Sequence, residues 1–329
     1  MHIQVLIPIA SSKASWTVEE DEYTLDQPWL SRSLAELGYT FSFHPITLLN
    51  ASSIIASFPK NDPNTVIFNL CDGTEEDGRP GNSVLEALQS QQLRFTGANL
   101  TFNILSSSKS ATKSLLSEFN VLCPRGFSHS GNWNGENTHT LKYPMIIKPD
   151  ASYGAIGVNL VQNPAELTLA VEELVKDFGS NVIWVAEEYI QGREFTALVV
   201  DAVSEDGSIF QKVYPVLERI FDSKLKPTEQ FFSKDVYWNH KFSCALAPQS
   251  DMQELEKVAK EAYLAVGGNG YARVDLRMSE DRDIYVLEVN SLCGISDSSD
   301  SSVGMILKFS QLSVVSLVEE FIQFAIKRK

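Results

Sequence analysis

Cysteine is scarce in this 329-residue chain, and its four copies, Cys71, Cys123, Cys244 and Cys293, lie far apart. They show neither the paired spacing of a zinc site nor the framework of a disulfide-stapled domain, so reduced thiols are expected. Long apolar runs are lacking too: no stretch reaches the roughly 20 consecutive apolar residues that a membrane span needs. The short run Ile3 to Ala10 has neither the basic leader nor the length of a secretory core. A cytoplasmic protein with no membrane partner is the expectation. Positive charge is in deficit, with 27 Lys and Arg against 42 Asp and Glu and a net charge of −15. That excludes a nucleic-acid backbone as general partner, because counterion release needs a basic face. A small anion held by a few local cations stays open. The five histidines, His2, His44, His129, His139 and His240, keep no partner spacing, and no catalytic triad is visible.

What is present describes a folded chain. Hydrophobic residues make up 43%, with 13 prolines and 18 glycines, and the length suits two or three lobes. Ile3 to Ile9 reads as a buried strand, Asp26 to Leu37 as a helix stopped by Gly38, Phe41 to Phe43 as a strand, Ser52 to Phe58 as a helix and Thr65 to Leu70 as a strand. This alternation predicts a parallel sheet flanked by helices. A helix follows over Asn82 to Gln92, and a serine-capped one begins near Ser107. Composition then shifts in the Gly, Asn, Ser and His-rich stretch Ser128 to Thr140, read as a boundary loop. Beyond it, strands are predicted at YPMIIKPD, VIWVAEEYI, REFTALVVDA and SIFQKVYPVL, the last two joined at a hairpin signal, Asp206-Gly207. Ala165 to Phe178 and Asp251 to Val266 read as helices, Phe221 to Ala247 as a long mobile loop, YARVDLRM and DIYVLEVN as two strands, and Gln311 to Lys327 as the closing helix.

The last two strands carry the clearest chemistry. Arg273 and Asp275 are two apart and share a face, as do Glu288 and Asn290. A hairpin would bring three oxygen-bearing side chains and a guanidinium together. Mg²⁺ favours such oxygen donors, usually one or two carboxylates plus substrate phosphates, and an arginine beside it would stabilise a transferred phosphoryl group. Lys148 leaves its apolar strand for a turn whose Gly154 and Gly157 permit backbone approach to an anion, without the order of a P-loop. Lys109 adds a second cation. Glu187, Glu188 and Glu194 in AEEYIQGREF offer acceptors to an adenine amino group and ribose hydroxyls.

In this order the segments EEDGRPG, RFTGAN, LSSSKSATKSLL, YPMIIKPDASYGAIGV, AEEYIQGREFT, ARVDLRM and LEVNSLCG resemble the ATP-grasp superfamily, most closely its D-alanine–D-alanine ligase branch, from Val66 to the C-terminus. The resemblance implies an α/β (α+β) fold of three lobes. These would be an N-terminal parallel α/β domain (1–106), a central subdomain with a phosphate-covering loop (107–198) and a C-terminal subdomain with metal-binding strands (199–329). It implies an ATP-dependent ligase that activates an amino acid or similar small acid as an acyl phosphate and couples it to an amine, releasing ADP and phosphate, with two Mg²⁺ ions, or Mn²⁺, amino-acid-like small-molecule substrates, and a homodimer among the assemblies to expect. Lys109 and Lys148 would contact ATP phosphates, Lys148 also lying near the purine, with Ser152, Tyr153 and Gly154 in the covering loop. Glu187, Glu188 and the backbone to Ile190 would face adenine, and Glu194 the ribose. Asp275, Glu288 and Asn290 would hold the metal, Arg273 would stabilise the intermediates, Gly294 would offer a backbone N–H to an oxyanion, and Lys234 would belong to the loop closing over the nucleotide. Glu76, Ser299 and one of Glu19, Glu20 and Glu22 would read the substrates.

The departures concern substrate recognition. The branch carries Gly-Gly-x-Ser-x-Glu after its first strand, where this chain has PIASSKASWTVEEDE; a His-Gly, where it has Cys71-Asp72; and Asn-Thr-Ser-Pro-Gly, where it has Asn290-Ser291-Leu292-Cys293-Gly294. Three alternatives therefore stand beside a general amino-acid ligase: a D-alanine–D-alanine ligase proper, a ring-closing ligase of a specialised pathway, and an ATP-binding protein without activity.

Overall fold

The computed structural model describes residues 1–10, 27–75, 77–133, 141–152, 154–299 and 301–328. The chain begins with β1 (His2–Pro8), α1 (Pro28–Glu36), β2 (Thr40–Ile46), α2 (Ala51–Ala56), β3 (Thr65–Asn69), α3 (Asn82–Ser90), α4 (Leu100–Ser107) and α5 (Lys109–Glu118). The strands form a parallel sheet in the order β2-β1-β3, as the alternation predicts. Both faces are covered, and residue parity decides which neighbour each side chain meets. Ile3, Val5, Ile7, Val66 and Phe68 pack with Trp29, Leu30 and Leu34 of α1, whereas Leu6 and Ile67 join Ile55, Leu85 and Leu88 on the opposite face.

Next come β4 (Gly126–Ser130), β5 (Met145–Pro149), β6 (Asn159–Val161), α6 (Pro164–Phe178) and β7 (Ile183–Glu188), giving an antiparallel sheet in the order β4-β7-β5-β6. Pro164 sits in the first turn of α6, and the Asn163 side chain accepts from Glu166 N. Leu167, Ala170, Val171 and Leu174 recur at helical spacing and pack onto Met145, Ile147, Trp184 and Ala186 in a core of their own.

The remainder comprises β8 (Gly192–Val203), β9 (Ile209–Val213), β10 (Leu217–Phe221), a single helical turn Pro227–Glu229, α7 (Lys234–Trp238), β11 (Phe242–Leu246), α8 (Gln249–Ala265), β12 (Tyr271–Ser279), β13 (Ile284–Ser291), α9 (Ser302–Ser310) and α10 (Val314–Lys327). Six strands make one sheet, β11-β10-β8-β12-β13 with β9 also on β8. Phe195, Ala197 and Val199 of β8 face Leu255, Ala259 and Ala262 of α8; Leu198 and Val200 face Leu317, Phe321 and Ile322 of α10. That same α10 face covers the N-terminal sheet, so the first strand and the last helix share a core.

The structure corrects several sequence expectations. The serine-capped helix expected near Ser107 is α5, whose cap Ser108 leaves the helical region (φ −97, ψ 115) and accepts from Ala111 N, but the helix α4 that ends directly before it was not anticipated. The stretch Phe221 to Ala247, expected to be a loop, contains α7 and β11; β11 is an edge strand with a half-exposed pattern, which hides its periodicity. β4 begins before the expected boundary loop and runs into its first residues, and α9 was not anticipated. The strand β8 runs from Gly192 to Val203, across the expected boundary at 198, and belongs wholly to the larger sheet.

Candidate active site

Pairing of β12 with β13 sets Arg273 opposite Asn290 and Asp275 opposite Glu288, after which the register shifts by a bulge. The Arg273 guanidinium donates to Asp275 Oδ2 at 2.9 Å, and Asn290 Nδ2 lies 3.4 Å from the same oxygen. The row continues across the sheet. Glu194 of β8 is opposite Arg277 of β12 on one side and Arg219 of β10 on the other. Arg219 donates to Glu194 Oε1 at 2.9 Å and to Asp275 Oδ1 at 3.1 Å; Arg277 donates to Glu194 Oε2 at 2.9 Å.

The four-stranded sheet faces this row with cations. Lys148 of β5 pairs with Glu187 Oε2 of β7 at 3.1 Å, and Lys113 of α5 with Glu187 Oε1 at 3.2 Å. The Nζ atoms of Lys148 and Lys109 each lie 3.7 Å from Glu288 Oε1. Lys109 also approaches the Ser152 carbonyl and hydroxyl at 3.4 Å. Asp150 fixes this geometry: its carboxylate accepts from Ser108 Oγ at 2.7 Å and Ser110 N at 2.8 Å, and its carbonyl accepts from Lys109 N at 3.1 Å.

Burial and charge act in opposition here. Burial disfavours the charge on Lys148, but Glu187 and Glu288 together outweigh it and hold its pKa above the ordinary lysine value. Lys109 goes the other way: burial carries it below that value, with Glu288 opposing and Lys148 adding to the effect. For Glu187, burial is outweighed by Lys148 and Lys113; for Asp275, by Arg273 and Arg219; both carboxyls lie below their usual range.

The structure thus brings Lys109, Lys148, Ser152, Glu187, Glu194, Arg273, Asp275, Glu288 and Asn290 to one cleft between two sheets. Glu188 is not among them. Adjacent strand residues point to opposite faces, and its carboxylate pairs instead with the exposed Arg125 at 2.9 Å. The Ile190 carbonyl accepts from Arg277 Nε at 2.7 Å. Gly154 adopts φ +60 in the turn after Lys148, with open space where a Cβ would lie. Gly294 is exposed with nothing within 4 Å of that position, and Ser299 is exposed before α9. Lys234 opens α7. Glu19, Glu20, Glu22, Glu76 and Tyr153 lie outside the described residues. Sequence reasoning missed Lys113, Asp150, Arg219 and Arg277. Lys113 and Arg277 had a signal, standing one helical turn after Lys109 and one strand period after Asp275; Arg219 needed the pairing of β10 with β8.

A family model described as D-ala D-ala ligase C-terminus matches residues 115–323. The chain belongs to this family. A D-alanine–D-alanine ligase of Marinomonas sp. is 30% identical over 256 residues, 77% of this chain and 74% of that protein. The D-alanine–D-alanine ligase of Thermotoga petrophila is 25% identical over 308 residues, 89% of this chain and 91% of that one. Among solved structures, the D-alanine–D-alanine ligase from Bacillus anthracis complexed with ATP superimposes with a TM-score of 0.72 at 19% identity, covering 99% and 98% of the two chains. The fold is that of ATP-grasp ligases, and this D-Ala–D-Ala ligase-like protein is an ADP-forming enzyme that uses ATP to join a carboxylate to an amine. Among the described residues, no helix is long and apolar enough to cross a membrane.

Proposed function

We propose that this ligase activates an amino acid or a similar small acid as an acyl phosphate and passes it to an amine, with the ATP phosphates held between Lys109 and Lys148 on one side and Asp275, Glu288 and Asn290 on the other. The observation that carries this reading is the approach of both lysines to Glu288, 3.7 Å each, from elements outside the larger sheet. Two buried cations facing two carboxylates make a cleft graded in charge, suited to a polyphosphate that arrives with its own counter-cations.

The donor set fits a hard cation: two carboxylates and an amide on paired strands, with phosphate oxygens to complete the shell. Asp275, Glu288 and Asn290 would hold magnesium, two ions by the family pattern or manganese in their place, supplying charge neutralisation during phosphoryl transfer. Arg273, fixed by Asp275, is the guanidinium nearest those carboxylates and would take up charge on the transferred group. Glu187, held between Lys113 and Lys148, would border the purine, and Glu194 would accept from the ribose hydroxyls. Gly294 would turn its N–H to an oxyanion, and Ser299 would meet the second substrate. The names of the relatives make D-alanine the first compound to test; the changed substrate-reading segments make other amino acids equal candidates.

ADP release, measured with amino acids singly and in pairs, tests the reading. Turnover that needs two compounds marks an intermolecular ligase, and D-alanine dependence the cell-wall reaction. Turnover with one compound alone marks ring closure. Tight ATP binding with no ADP release under any acid and amine would overturn it.

A further inference from the structure

We infer that Arg277 is a positioning residue that ties nucleotide recognition to the segment between β10 and α7, so that Glu194 is presented to the ribose only while that segment is seated. This rests on the reading of Glu194 as the ribose acceptor. Arg277 is 2% exposed, and its side chain reaches separate stretches of chain. Its Nε donates to Ile190 O at 2.7 Å, its Nη1 to Glu194 Oε2 at 2.9 Å, and its Nη2 to Tyr189 OH at 3.0 Å and Gln230 O at 2.7 Å. The planar fork of arginine can satisfy these acceptors at once, which a lysine's point charge cannot.

The same segment is fastened to the same residues by independent contacts. Tyr189 OH donates to Pro227 O at 2.6 Å, Phe232 N donates to Glu194 Oε2 at 3.3 Å, and the Arg219 guanidinium stacks 4.2 Å from the Phe232 ring centre. Glu194 is therefore gripped by two arginines and by the segment's own backbone. Loss of the Arg277 fork would strand the Ile190 and Gln230 carbonyls and leave Glu194 with Arg219, which it shares with Asp275, and the longer contact from Phe232 N. The segment and the ribose carboxylate would be released together.

Titration of ATP and 2′,3′-dideoxy-ATP, each with Mg²⁺, into the wild-type chain, Arg277→Lys and Arg277→Met tests this by calorimetry. The wild type should prefer ATP by about tenfold or more, and the variants should lose that preference to within about twofold, with dideoxy-ATP affinity little changed. Trypsin cleavage after Lys224, on the segment itself, should quicken in both variants. A wild-type preference retained in Arg277→Lys overturns the positioning role, and unchanged cleavage overturns the link to the segment. A wild type that does not distinguish the two nucleotides overturns the ribose reading of Glu194 itself. Should Arg277→Met fail to fold, Arg277→Lys and Tyr189→Phe decide the matter, the latter expected to quicken cleavage through loss of the Pro227 contact.

Discussion

Lys148 and Glu288 meet at 3.7 Å although they belong to different sheets, the four-stranded and the six-stranded one. The lysine is also paired with Glu187 on its own side, at 3.1 Å. The two halves of the cleft are thus joined by a charge contact loose enough to admit phosphate oxygens, and the residues there can be perturbed separately.

Glu288→Gln should abolish ADP production while leaving the fold intact. Glu288 is 29% exposed and its two lysine contacts are long, so the protein does not depend on it for stability. A thermal unfolding midpoint within a few degrees of the wild type, together with loss of turnover by about 100-fold or more, is the expected result. Undiminished turnover would remove Glu288 from the metal site.

The neighbouring glutamates of β7 should behave in opposite ways. Glu187→Ala leaves Lys148 and Lys113 without their shared carboxylate in a buried setting, a loss of roughly 3–5 kcal/mol. Glu188→Ala removes only a contact to Arg125, whose side chain is 82% exposed, and should cost no more than about 1 kcal/mol. Urea unfolding of both variants reads the difference; equal costs would contradict the facing assigned to the two residues.

Asp150→Ala should weaken both the fold and ATP binding. The side chain caps the first turn of α5 through Ser108 Oγ and Ser110 N, and losing a cap costs about 0.5–2 kcal/mol. Lys109 then loses its alignment, so the ATP affinity should fall more than the stability loss explains. Asp150→Asn, which keeps an acceptor for Ser110 N, should recover most of the affinity. Calorimetric ATP titration separates the two variants.

Stability should also decline on mild acidification through His44. Burial, helped by the nearby His2, lowers its pKa, and its Nε2 lies 2.6 Å from Gln4 Oε1. The unfolded chain therefore takes up this proton at a higher pH than the native one. The contribution is complete above the ordinary histidine value of about 6.5 and is lost as pH falls toward the lowered native value. Unfolding midpoints at neutral pH and about one and a half units lower should differ less in His44→Gln than in the wild type. An identical shift in both would exclude His44 as the source.

Legibility in the sequence followed the range of the interaction. The Arg273, Asp275, Glu288 and Asn290 quartet was visible because strand period and one short hairpin suffice to place it. Lys148 was visible as the end of an apolar run. Arg219 was not, since its place opposite Glu194 depends on how β10 returns to β8. The turn of the Glu188 carboxylate away from the cleft was readable locally, because strand parity already separates it from Glu187. Edge position hid β11, whereas the serine cap of α5 was legible because capping is a local interaction.

The packing of α10 on the first sheet bears on how the chain is made. Ile3, Val5 and Ile7 leave the ribosome long before Leu317, Phe321 and Ile322, which close over them. Until α10 is made, α1 alone can cover that face, and the incomplete core stands open while all the intervening elements are synthesised, when aggregation competes with folding. A nascent chain stalled before Leu317 should accordingly be a client for chaperones, and one released after Ala325 should not.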